Sequence, residues 1–135
     1  MTKFILPKDI GLEALPEQNY ADVKFIFNTD WYDGPISGLC EVNGKEYWFE
    51  LVTEDYKPKK DPEEMDRIRV FALIDLGKTR FEEEKLWHKL FELLVRDNKD
   101  LRPSAMHDRF YKPYAHRPET EISREQIIAQ FVEKP

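Results

Sequence analysis

Asp30-Trp31-Tyr32-Asp33 places two carboxylates three residues apart around two large rings, with Gly34-Pro35 directly after them. Rings stack on sugars, cations and peptide side chains, and carboxylates accept hydrogen bonds or pair with positive charge. The run therefore suits a sugar, a cationic ligand or a basic peptide. A structural role competes with this one: Trp31 or Tyr32 plugs the open end of a sheet while Asp33-Gly34 makes the turn. Catalysis by the two carboxylates is the weakest reading, because acid/base work needs one of them raised in pKa by an apolar pocket.

A second candidate is the segment 102–117, which interleaves rings with charge and holds four Lys or Arg against one Asp. Arg109, Tyr111 and Tyr114 are its binding candidates. Stacking plus phosphate contact is how single-stranded nucleic acid is held, but a net charge of −6 opposes that use. The preferred reading folds this arm back onto the domain, its basic groups meeting an acidic sheet face, with contact to another protein as the next reading.

Other chemistries find little support. Glu84 and His88 form an i, i+4 pair on a polar helix face, and a zinc site needs three or four ligands. The glycines are isolated, with no phosphate-cradling loop among them, and Ser37, Ser104 and Ser123 sit in no nucleophile elbow. Cys40, the single cysteine, lies mid-strand among apolar residues and reads as a small buried hydrophobe. No cofactor is implied, and the chain reads as non-enzymatic.

These residues need positioning, and the centre of the expected scaffold is the run 36–52. Two alternating stretches meet there at Asn43-Gly44, the strongest short-range hairpin signal. A two-residue turn sets Val42 opposite Lys45, then Cys40 opposite Tyr47, Gly38 opposite Phe49 and Ile36 opposite Leu51 on one apolar face. Glu41 and Glu46, Leu39 and Trp48, and Ser37 and Glu50 share the reverse, wet face, where Trp48 is a further exposed anchor. The missing side chain of Gly38 is explained by Phe49 lying over the gap.

Asp22 to Asn28 alternates as a half-buried strand with Val23, Phe25 and Phe27 on one side. Lys3 to Leu6 reads as a short extended piece, Asp9 to Leu15 as containing a helical turn, and Glu54 to Asp66 as an exposed charged loop. Arg67 to Leu76 is apolar on both faces, the pattern of an interior strand. Its Arg67 and Arg69 would pair across strands with Glu41, Glu46 and Glu50. Thr79 with Glu82 forms a capping box, opening a helix whose Trp87, Leu90, Phe91 and Leu94, widened by Leu86 and Leu93, pack on the sheet. Glu84, His88 and Glu92 then face solvent, and the helix ends near Arg96. Ser123 with Gln126, and Ile122 with Ile127, predict a short C-terminal helix.

The whole is expected to be a single α+β domain, residues 1–135, with 97–118 as a long arm. Its antiparallel sheet has four to five strands, one long helix on one face and the short C-terminal helix. The N-terminal apolar run is too short for a signal peptide and nothing later has the length to span a bilayer. With one cysteine, this points to a cytoplasmic protein with no membrane association. The function expected is that of a small binding module whose partner is another protein, basic in character, held by Trp31, Tyr32, Asp33 and Trp48. Its alternative is a small-molecule binder or enzyme with a pocket between 29–35 and 102–117, Asp30 or Asp33 at its base.

Overall fold

Asn43 and Gly44 both take positive φ, 51° and 83°, as a type I′ turn requires. The register follows from them: Val42 faces Lys45, Cys40 faces Tyr47, Gly38 faces Phe49 and Leu39 faces Trp48. This hairpin belongs to a computed structural model that describes residues 3–31, 34–58, 65–97 and 119–133. Within them lie β1 (Lys3–Ile5), β2 (Glu17–Gln18), β3 (Val23–Trp31), β4 (Pro35–Val42), β5 (Lys45–Pro58), β6 (Met65–Ile74), α1 (Lys78–Asp97), β7 (Glu119–Glu121) and β8 (Ile127–Glu133). The chain divides into two units, one of Lys8–Asp75 with Ser123–Pro135, the other of Met1–Pro7 with Leu76–Ile122.

The first unit is a mixed sheet of six strands in the order β2-β8-β6-β5-β4-β3. Four or five antiparallel strands were expected, and two elements account for the difference. Residues 127–133 form a strand between β2 and β6 instead of a terminal helix, and β2 joins β8 in parallel, Glu17 opposite Gln130. The Ser123 backbone N–H does donate to Gln126 Oε1 at 3.0 Å, so the box is present. It caps only the single helical turn Arg124–Gln126, after which the β-branched run pairs with β6. Residues 54–58 and 65–66, expected in a loop, extend β5 and β6, with Lys57 opposite Asp66. The interior placement of β6 is as its two apolar faces require, since Phe71, Ala72, Leu73 and Ile74 are all buried.

One face of this sheet is concave. β3 and β8 are separated by β4, β5 and β6, and in a flat sheet they would stand about 19 Å apart. Yet the rings of Phe25 on β3 and Phe131 on β8 have centroids 5.9 Å apart, and both meet Phe49. The sheet therefore coils around Cys40, Val42, Phe49, Phe71, Leu73, Ala129 and Phe131. Chain 17–31 borders both of its edges, pairing with β8 at Glu17 and with β4 from Val23 onward. Gln130 fixes the approach to that crossing, its side-chain amide donating to the carbonyls of Leu12 and Leu15 at 2.6 and 3.1 Å.

Register shifts bend the strands enough to coil. Phe25 pairs with Cys40 and Phe27 with Leu39, so Ile26 is extra and Phe27 moves to the convex face instead of sharing a side with Phe25. Val52 is extra in the same way on β5. Gly38 meets β3 between two such shifts. A Cβ there would overlap the Phe27 carbonyl oxygen and lie 2.9 Å from Asn28 Cα, and φ is 157°. Backbone of β3, and not Phe49, fills the space beside Gly38.

In the second unit β1 and β7 pair in parallel, Phe4 opposite Thr120, and Ile122 N–H continues the contact to the Ile5 carbonyl at 2.8 Å. Arg80 of α1 reaches Thr120 Oγ1 at 3.2 Å. The helix starts at Lys78, after Gly77, so Thr79 lies inside the first turn instead of capping it. Its orientation also departs from the expected one: Glu84 is only 2% exposed, while Leu86 and Leu90 are 60% and 43% exposed. Of the arm expected over 97–118, Asp97 ends α1 and residues 98–118 lie outside the described residues. Among the described residues no helix is long and apolar enough to cross a membrane.

Gly38→Ala should destabilise the sheet by about 2–5 kcal/mol, combining left-handed backbone strain with overlap of two strands; urea unfolding measures it. Burial lowers the His88 pKa below its ordinary value of 6.5, partly opposed by Glu92, whose Oε1 is 3.1 Å from Nε2. The fold thus favours the neutral ring, and this contribution is fully present above pH 6.5 and is lost as pH falls through the lowered value. His88→Gln should therefore narrow the gap between urea midpoints measured at about pH 7.5 and 5.

Candidate functional site

The extra residue Val52 has a chemical consequence. Without it Glu54 would share the convex face with Glu50; with it, Glu54 and Tyr56 turn to the concave side, opposite Arg69 and Arg67. Arg69 follows Phe71 and Leu73 down that face of β6, and Glu133 lies opposite it on β8. The pairing expected between the two arginines and Glu41, Glu46 and Glu50 is therefore replaced by one with Glu54 and Glu133.

Arg69 is 0% exposed. Its Nε lies 3.9 Å from Glu54 Oε2 and its Nη1 3.7 Å from Glu133 Oε2, while Arg67 Nε lies 3.8 Å from Glu54 Oε1. These are charge contacts beyond hydrogen-bond reach, and no hydrogen bond reaches Nε, Nη1 or Nη2 of Arg69 among the described residues. Its guanidinium carbon stands 5.3 Å from the centroid of the Phe71 ring. Two guanidiniums and two carboxylates make the cluster neutral overall.

Two tyrosines flank it. Tyr56 donates its O–H to Glu54 Oε1 at 2.9 Å. Tyr20 stacks on Phe131 at 6.2 Å, and its pKa is raised by burial and by Glu133, with Arg69 opposing. Gly34, directly before β4, closes the group. A Cβ on it would fall on the Arg69 guanidinium and 3.5 Å from Arg67 Nη2. The connection singled out in the sequence thus leads to the same end of the coiled sheet as these charges.

Of the sequence candidates, Asp30 is exposed on β3 opposite Ser37. Trp31 ends β3 opposite Pro35, its side chain outside the described residues. Tyr32, Asp33, Arg109, Tyr111 and Tyr114 are also outside them. Trp48 is corrected: it is 1% exposed, its indole N–H donates to Glu50 Oε1 at 3.0 Å, and its ring meets Phe27 at 6.1 Å. It is a packed residue and not a surface anchor. Cys40 is fully buried, and burial pushes its thiol up to about 12, which keeps it protonated and unreactive. Among the described residues no three His, Cys, Asp or Glu side chains gather as a metal site.

Sequence reasoning missed Arg69 as a site residue, although one signal was present: Arg67 and Arg69 fall on the same parity as Phe71 and Leu73. Glu54 carried no such signal, because its parity is reversed by Val52.

Replacing a poorly bonded buried ion by an apolar side chain of similar volume is often neutral or stabilising, whereas removing one partner strands the other. Arg69→Met should leave stability unchanged or raise it by up to about 4 kcal/mol, while Glu133→Gln lowers it. Urea midpoints of the two variants should move in opposite directions or, for Arg69→Met, not move. No family model, curated protein or solved structure matches this chain.

Proposed function

We propose that the chain is a non-enzymatic binding module whose partner is another protein, engaged at the end of the coiled sheet where Tyr20, Tyr56 and Gly34 surround the charge cluster. The observation that carries this reading is Tyr56. The residue is 54% exposed, yet its hydroxyl is tied to Glu54. A large ring held in place at the surface loses little freedom on binding, which is how tyrosine anchors work in interfaces. Tyr20, 38% exposed, supplies a second ring backed by Phe131.

Charge favours a basic partner. The net charge is −6, and Asp30 and Asp55 are exposed, so a positive surface is attracted and nucleic acid repelled. The lone buried Cys40 fits a reducing compartment such as the cytoplasm. With Trp48 inside, the anchoring role in this reading passes to the two tyrosines and the 29–35 connection.

The test is affinity capture from the protein's own cells with wild type and Tyr56→Ala as baits. Wild type should retain a basic protein and Tyr56→Ala should lose at least about tenfold of it, since an anchor is worth 2 kcal/mol or more. Equal retention by both baits, with both folded by circular dichroism, would sink the proposal.

A further inference from the structure

A guanidinium offers five N–H donors in a planar fork, and burying them without acceptors carries a desolvation penalty that hydrogen bonds normally offset. Among the described residues, Arg69 is buried without a single hydrogen bond. Its two carboxylate neighbours are not placed to supply them. Glu54 stands 3.9 Å from Nε and is already bonded by Tyr56, Glu133 stands 3.7 Å from Nη1, and Nη2 has no ion pair among the described residues. Arg67 brings a second guanidinium to the same place: a Cβ on Gly34 would overlap the Arg69 fork and lie in ordinary contact, 3.5 Å, with Arg67 Nη2.

We propose that Arg69, with Arg67, is a receptor for a small oxyanion, a carboxylate or phosphate group, seated beside Gly34. Such a group would accept two parallel N–H bonds of the short, charge-assisted kind that neither glutamate makes. The glutamates keep the cluster neutral when it is empty, and the Phe71 face below the fork holds the guanidinium plane. Glycine at 34 is what leaves the Arg69 guanidinium its place beside Arg67. This site is independent of the protein-partner reading, because a free anion needs neither tyrosine as an anchor.

The experiment titrates the wild-type protein with inorganic phosphate and, separately, with acetate, against sodium chloride at the same ionic strength. Arginine Nε–Hε signals in proton–nitrogen correlation spectra are followed throughout. A saturable shift of the Arg69 signal with phosphate or acetate, absent with chloride, supports the site. Phosphate alone assigns a phosphate-type ligand, and acetate alone a carboxylate. Linear drift equal to that in chloride overturns it. Arg69→Lys keeps the charge but loses the fork, so affinity should fall at least about tenfold, and an unchanged titration in this variant also overturns the proposal. Should Arg69→Lys fail to fold, Arg67→Gln takes its place, and unchanged affinity there removes Arg67 from the site while the wild-type titration still decides for Arg69.

Discussion

Closure of the six-stranded sheet around its aromatic interior is the constraint on which the other features rest. Phe25, Phe49, Phe71 and Phe131 can share one cluster only if the first and last long strands approach each other. Flat pairing forbids that, and extra residues along the strands allow it, each adding twist and changing which way the following side chains point. Ile26 sends Phe27 to the convex side, Val52 brings Glu54 to the concave side, and Ile128 separates the faces of Ile127 and Ala129. Gly38 is the position at which two strands pay for this curvature with backbone proximity.

The same constraint explains what could be read in the chain beforehand. The Asn43-Gly44 turn and the hairpin register depend on local backbone geometry, and both were legible, as was the two-faced burial of β6. Parity past a bulge was not, because nothing in Glu50-Leu-Val-Thr-Glu54 marks which residue is extra until the strand has a neighbour. Ile127-Ile-Ala-Gln-Phe-Val132 is short enough to fit a helix or a strand, and its identity was decided by the open edge of β6. In α1 the apolar Leu86 and Leu90 outweighed Glu84 in a pattern of hydrophobicity, although Glu84 is the buried one.

The candidate site shows a similar division. The aromatic-acidic connection at 30–35 announced itself by composition. Arg69 did not, because an arginine between apolar residues is ordinarily an exposed strand position. Its burial arises where the concave face continues past the aromatic cluster to Glu54 and Glu133. A polar group at that depth weakens the packed end of the sheet, and its retention there is what gives the end a chemical character distinct from the rest of the interior.

The order in which the strands leave the ribosome adds a kinetic dimension. β8 lies between β2 and β6 yet follows both in the chain, separated from β6 by the Leu76–Ile122 part of the second unit. A nascent chain that has reached Ile122 can form the β3-to-β6 meander, but β6 then presents a bare, apolar edge. Pairings this distant in sequence form slowly, and half-finished sheets of this kind associate with one another or with chaperones. The second neighbour of β6 is supplied only by residues 127–133, and the Arg69 cluster is complete only once Glu133 has arrived with them.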